Sequence, residues 1–464
     1  MNLAHVLHAS AAAHADRPAV SDLGSGRTLT YAELGRESDR IATLLAREGV
    51  VPGQRIGLVA PNSIAHVAAA FGLLATGACL VPLAANLTPT EAAQIAREVE
   101  LNGCLTWRDG FRFEWLNRAA PGPAELPALD AAFIRFTSGT TASSKGVVLS
   151  HEATLARVEA ADRVLRLGRD DRIFWVLPLA YHFAVTIVAY VRAGAHVLLC
   201  ADTRPPALLD AIRKSAPTVL YASPLHFERL GNLGGGGRLD SVRLAVSTSA
   251  PITAAVVDRF EAAHGVPLGQ AYGLIEAGLP CINTGADGLA ATSVGRPVPG
   301  YDVAVFSDAG ARERAGVSGE IGIRGDGLFS AYYAPWRRRA RITRDGWFMT
   351  GDIGRFDARG ALHLEGRTKA VIFVAGLKFF PEEVEACING FPGIEESRVF
   401  GRAHAHLGQV PCAEIVARAG RVDVDALRAH CARLLSTYKV PVEFSVVDTV
   451  PRTPGGKILR RTTT

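Results

Sequence analysis

A chain of 464 residues can bury roughly three quarters of its unfolded surface, and 48% hydrophobic with 20% charged residues is an ordinary globular composition at about three domains' length. A formal charge of +5 is small for that length and gives no electrostatic ground for a nucleic-acid partner. Seven scattered cysteines, odd in number and never spaced CxxC, argue against a disulfide framework or a cysteine zinc site and predict a reducing, cytoplasmic setting.

The opening MNLAHVLHAS lacks the basic segment and sustained apolar run of a secretory signal. The pattern then predicts a helix over 32–47, a strand over 55–59, a helix over 63–75 and a strand over 79–82. Uncharged windows at 56–90 and 173–191 are broken by Pro61, Gly72, Gly77, Pro82 and Pro178, so they read as buried strands and helices, with no membrane span expected. The apolar runs AAFIRF (131–136) and VVL (147–149) read as core strands, and β/α alternation continues to Val246. Residues 232–237, NLGGGG, read as a surface loop, and the arginines from Arg337 to Arg344 as a solvated face. Short strands and turns dominate 293–356. After Arg367 comes a new unit of about 100 residues: a strand at 370–374, a helix after Pro381, strands near Arg398 and Ala413, and a helix at 424–435. The expectation is an α/β protein, with a large N-terminal domain (1–367) of β-sheets layered with helices and a smaller α+β C-terminal domain (368–464).

Five segments carry chemistry. TSGTTASSKG (137–146) has six hydroxyls, two glycines and a lysine between two strands, a composition suited to an anion nest. It is not a Walker loop, since Ser144 precedes Lys145 and a strand follows. AYGLIEAG (271–278) offers Glu276 after an aromatic-glycine turn, a hard oxygen for Mg²⁺ or simply a surface acid. WFMTGDIGRFD (347–357) puts Asp352 in a predicted tight turn. EGRTKAVIFVAGLKFFPEEVE (365–385) spans the domain boundary, and PRTPGGKILRR (451–461) carries Lys457 on a Pro/Gly loop. The chain has only six lysines against 44 arginines, and five of the six, Lys145, Lys369, Lys378, Lys439 and Lys457, fall in these segments or in STYKVP (436–441).

In this order, and with GEIGIRG (319–325), the segments resemble the adenylate-forming superfamily of acyl- and aryl-CoA synthetases, peptide-synthetase adenylation domains and beetle luciferase. The resemblance covers nearly the whole chain and is closest to an acyl- or aryl-CoA ligase. It implies that Thr137, Ser138, Gly139, Thr140, Thr141 and Lys145 contact the ATP phosphates. It further implies that Glu276 holds Mg²⁺, that Tyr272 and Gly273 lie near the adenine with Ser249 and Ala250, and that Asp352 and Arg367 grip the ribose. Lys457 would bridge carboxylate and α-phosphate during adenylation, with Thr140, Glu276 and His182 also at the reaction centre. The C-terminal domain would be mobile about a hinge at Lys369, bringing the Gly376 loop to the cleft for the thiol of CoA, or of a carrier-protein phosphopantetheine. Two departures stand out. The family's TTGxPKG appears as TTASSKG, and its YGxTE as YGLIE, so Ile275 replaces a threonine. The chain is also shorter than most relatives, with the deficit between Leu101 and Leu129.

The acid pocket implied by the resemblance is lined by 178–191, 220–225 and 271–280, where His182 and Glu276 are the ionisable groups apart from tyrosines. With no arginine expected to await a second carboxylate, the substrate expected is a monocarboxylic acid, aryl or short-to-medium acyl. Three readings remain: a CoA ligase, a ligase that loads a separate carrier protein, and a nucleotide-binding homologue with impaired catalysis. The protein is expected as a monomer or homodimer.

Overall fold

The computed structural model describes residues 2–137, 145–233, 237–249, 252, 254–307, 309–367, 372–379, 381–417 and 422–451. They divide into two compact units. One comprises 1–85, 99–135 and 147–366, and the other 86–98, 136–146 and 367–464.

Early elements of the first unit follow from local sequence. Thr30 and Glu33 form a reciprocal capping box that starts the helix Tyr31–Arg47, whose buried residues Tyr31, Leu34, Ser38, Ile41 and Leu45 recur at helical spacing. Beneath it runs Ile64–Ala75, capped by Ser63 and buried on almost every side. A Cβ at Gly72 would sit 2.8 Å from the Ser38 carbonyl oxygen, so only glycine allows the two helices to approach this closely.

An eight-stranded sheet has Arg55–Val59, Cys79–Leu83 and Ala131–Thr137 adjacent at its centre, with Lys145–Ser150 beyond. A nine-stranded sheet runs parallel from Pro18–Asp22 through His196–Leu199, Arg172–Trp175, Val219–Ala222 and Leu244–Ser247 to Leu268–Leu274, and closes with antiparallel strands. Its central strands are mostly apolar, as burial on both faces favours. A four-stranded antiparallel sheet follows, from Tyr301–Phe306 to Leu362–Arg367. No helix among the described residues is long and apolar enough to cross a membrane.

The helix His151–Leu165 carries a charge on its buried stripe. Arg157, fully buried, donates to the carbonyls of Ile275 (2.9 Å), Glu276 (3.3 Å) and Gly327 (3.0 Å). Burial pulls its pKa down against the pull of Tyr301 and Glu276. The Tyr301 hydroxyl donates to the Ala277 carbonyl, so the whole Ile275–Ala277 turn is pinned from behind.

In the second unit a sheet ordered Leu377–Phe379, Ile372–Val374, Gly408–Ala417, Ile394–His404 packs against Pro381–Asn389 and Val424–Leu434, with Glu443–Val446 parallel to Gly408–Ala417. The helix Pro89–Glu98 belongs here too. Its Glu91 exchanges capping bonds with Thr88, accepts from Ser436 Oγ at 2.6 Å and Nζ of Lys439 at 3.1 Å, while Lys439 also donates to Glu383 at 2.7 Å. Burial pushes the Glu91 carboxyl up, but Lys439, Ser436 and Thr88 outweigh it and hold the group below the usual range. Burial disfavours the Lys439 ammonium, and Glu383, Tyr438 and Glu91 more than reverse this.

Three outcomes follow. Lys439→Met, which strands Glu91 in a buried place, should lower unfolding stability by on the order of 3 to 5 kcal/mol in urea melts. Because the Glu91 pKa is depressed, its contribution is complete above the ordinary glutamate pKa and lost on acidification. The stability gap between wild type and Glu91→Gln should therefore be full at neutral pH and close below about pH 4. Arg157→Lys, which cannot span the same carbonyls, should cost about 3 kcal/mol in the same assay.

Candidate active site

The strand Leu268–Leu274 runs directly into the hairpin that carries Glu276. Tyr272 and Gly273 are therefore strand residues, not the turn expected from the sequence; the turn comes at Ile275–Ala277, before the returning strand Gly278–Asn283. Antiparallel pairing of Tyr272 with Cys281 keeps the strand extended through the glycine.

Asp352 also departs from the tight turn expected. It lies within the strand Phe348–Phe356, where pairing with Gly319–Gly325 slips: Glu320 faces Ile353 but Gly322 faces Met349. The extra residues bulge outward. Gly351 takes the left-handed conformation (φ 74°) that only glycine adopts without strain, and its N–H donates to Glu320 Oε1 at 2.9 Å. Thr350 Oγ1 donates to the Ile321 carbonyl and accepts from Asp352 N. The bulge turns Asp352 inward, where it is buried and accepts from the Tyr272 hydroxyl at 2.5 Å. Two segments 80 residues apart, AYG and TGD, thus meet through one charge-assisted bond.

Glu276 accepts from the Tyr332 hydroxyl at 3.0 Å, and its own carbonyl accepts from Phe329 N at 2.7 Å. Burial, and then the Glu276 charge, push the Tyr332 pKa far up, so the phenol stays a donor. Among the described residues no group of three or more His, Cys, Asp or Glu gathers as a metal cage. A single carboxylate with one oxygen on a phenol suits an ion brought in by a polyphosphate rather than a resident one.

His182 closes the short helix Leu179–His182, just before a π-turn over Phe183–Ile187. Its ring meets Trp175 edge-on at 5.7 Å, and Trp175 stacks on Tyr221 at 5.9 Å and meets Tyr190 at 5.8 Å. This aromatic group lies in the segments expected to line an acid pocket. Ser249 follows the strand Leu244–Ser247 with φ 76°, a left-handed geometry that costs a serine about 1 kcal/mol or more.

Arg135, 6% exposed on the strand Ala131–Thr137, was not foreseen. Burial pulls its pKa down to about 10, with repulsion from Arg157 adding and attraction by Tyr181 and Glu276 opposing. An arginine outside the acid-pocket segments thus interacts with Tyr181 and Glu276 within them, and it remains a cation at neutral pH. Its tertiary surroundings, invisible in an apolar run such as AAFIRF, decide this. Arg157 could have been found from the sequence, because it falls on the buried stripe with Ala153, Thr154, Val158 and Ala161. Tyr332 had no such signal.

Thr137, Lys145 and Arg367 stand at strand ends, and nothing is described of their side chains. Ser138, Gly139, Thr140, Thr141, Ala250, Lys369 and Lys457 lie outside the described residues. In the second unit Gly376 (φ 82°) and Ala375 (φ 50°) form the two-residue turn between Ile372–Val374 and Leu377–Phe379, with both residues left-handed.

Residues 7–120 and 103–333 match the AMP-binding enzyme family, and 383–457 match the AMP-binding enzyme C-terminal domain. A sulfoacetate–CoA ligase of Cupriavidus necator is 30% identical, over 99% of this chain and 96% of the relative. A feruloyl-CoA synthase of an Amycolatopsis species is 29% identical over 94% and 93%. The solved o-succinylbenzoate CoA synthetase of Bacillus subtilis superposes with a TM-score of 0.88 at 24% identity, covering 98% of this chain and 97% of its own, and so shares the fold. The chain therefore belongs to the adenylate-forming AMP-binding enzymes, and within them to the AMP-forming acid–CoA ligases, which adenylate a carboxylate and then form a thioester.

Proposed function

We propose that this ligase activates a monocarboxylic acid with an aryl or short-to-medium acyl body and transfers it to CoA. The observation that carries this reading is the Tyr272–Asp352 hydrogen bond, which joins the two segments assigned to adenine and ribose into one buried, oriented pair. The relatives' names differ in their acid, sulfoacetate in one and feruloyl in the other. The Trp175–Tyr221–His182 aromatic group favours an aryl body, which it can flank by stacked and edge contacts.

In the first half-reaction a carboxylate oxygen attacks the α-phosphorus of ATP and pyrophosphate leaves. Asp352 and Arg367 orient the ribose, with Tyr272, Gly273, Ser249 and Ala250 around the adenine. Thr137, Ser138, Gly139, Thr140, Thr141 and Lys145 hold the outer phosphates. Glu276 would hold Mg²⁺, which would supply charge to offset the triphosphate. Lys457 places an ammonium between the two repelling anions. In the second, a thiol sulfur attacks the acyl carbonyl and AMP departs. The C-terminal domain (368–464) moves about Lys369 between the halves, exchanging Lys457 for the Gly376 loop, and His182 lines the acid's entry. A carrier-protein phosphopantetheine is the competing acceptor.

Pyrophosphate exchange across a panel of acids should show activity with an aryl or medium acyl acid. Parallel incubation with CoA and a phosphopantetheinylated carrier should give thioester mass on CoA. Exchange with no acid would favour a binding homologue with impaired catalysis, and thioester on the carrier alone would reassign the acceptor. Lys457→Ala should cut acyl-AMP synthesis by about 100-fold or more, yet leave thioester formation from supplied acyl-AMP within a few-fold. Equal loss in both assays would remove Lys457 from the adenylation role.

A further inference from the structure

Three arginines are buried in the first unit: Arg55, Arg135 and Arg157. Two are saturated by backbone. Arg55 donates to the carbonyls of Val99, Glu100 and Ala120, and Arg157 to those of Gly327, Ile275 and Glu276. Arg135 is different. Among the described residues none accepts a hydrogen bond from its guanidinium, and no carboxylate lies within ion-pair distance of it.

Its direction follows from the strand. Alternate residues of a strand share a face, and Phe133 packs against Phe183 with ring centroids 6.3 Å apart, so Arg135 faces the layer that begins with Tyr181 and His182. Glu276 and Tyr181 attract it and Arg157 repels it. Glu276 is itself engaged by Tyr332. A desolvated cation without a counter-charge costs several kcal/mol, and the usual resolution is an anion that arrives with a ligand.

The nucleotide reading above, on which this inference rests, says which anion. Tyr272 and Asp352 hold the nucleoside, and Glu276 follows Tyr272 by four residues along the same hairpin. The first group beyond the ribose is the α-phosphate; the strand of Arg135 lies two strands from Tyr332, whose hydroxyl holds Glu276, and Arg135 is the buried cation there that is not saturated by backbone. We propose that Arg135 binds the α-phosphate oxygens of the adenylate, a planar two-pronged grip on the group that the carboxylate attacks. The position next to Glu276 is occupied by Ile275, which has no donor of its own.

The test compares AMP with adenosine by titration calorimetry, which needs no knowledge of the acid. Wild type should bind AMP at least about tenfold more tightly than adenosine. Arg135→Leu should abolish that preference while leaving adenosine affinity within about twofold, and Arg135→Lys should keep part of it. Pyrophosphate exchange in Arg135→Leu should fall by about 100-fold. Should the leucine variant fail to fold, Arg135→Gln, close in length and uncharged, supplies the same comparison. An unchanged AMP preference in a variant with wild-type melting temperature overturns the proposal. So does a rate loss confined to acids with a second anionic group, which would make Arg135 a reader of the acid. Wild type that binds neither AMP nor adenosine refutes the nucleotide reading itself, an outcome distinct from a failure at Arg135.

Discussion

The geometry of the proposed site depends on a charge that never meets solvent. Arg157 bonds to the carbonyls at Ile275, Glu276 and Gly327, of which the Glu276 carbonyl also accepts from Phe329 N. A buried carbonyl left without a donor is costly. One guanidinium satisfies several at once and fixes the direction in which Glu276 leaves the backbone. The Tyr301 hydroxyl on Ala277 and Phe329 N on Glu276 complete the hold. Glu276 therefore projects from a stiff turn, and Tyr332 sets its orientation. For the role proposed for Glu276, holding an ion against a triphosphate, such prepared geometry is what makes a carboxylate effective.

Much of this architecture was legible in the residues. The capping box at Thr30, the helical stripe from Leu34 to Leu45 and the apolar parallel strands follow from local rules, and the elements predicted over 32–47, 55–59 and 63–75 lie within a residue or so of Tyr31–Arg47, Arg55–Val59 and Ile64–Ala75. The family was visible in the joint order of its motifs. What escaped was set by partners distant in sequence. Thr350–Asp352 reads as a turn because threonine, glycine and aspartate favour one, but the opposite strand supplies Glu320 and Ile321 as partners and converts it into a bulge. Tyr272–Gly273 reads as a turn for the same reason and is kept straight by Cys281. Arg135 sits in a run whose neighbours are all apolar, and nothing local shows whether it is buried or faces water.

The segments proposed to line the acid and the residues proposed to face the nucleotide use different chemistry. Around Asp352 and Glu276 polar groups are paired and oriented, each carboxylate with a phenol beside it. Around Trp175 the contacts are ring on ring, with the Tyr221 pKa pushed up to about 12 by burial, so that group stays neutral at physiological pH. Shape can discriminate among acids in such surroundings, and a methylene more or less changes binding modestly. That fits a family in which relatives at similar identity carry different acids in their names.

The helix Pro89–Glu98 bears on how such proteins can be recombined. It is encoded in the first quarter of the chain but packs with the second unit, where Glu91 is bonded to Ser436 and Lys439. A chimera spliced near residue 367 would carry a foreign C-terminal module onto this host helix, pairing a donor's lysine and serine with a carboxylate they did not evolve beside. Grafts between paralogues would then need residues 86–98 exchanged together with the tail, as one non-contiguous cassette.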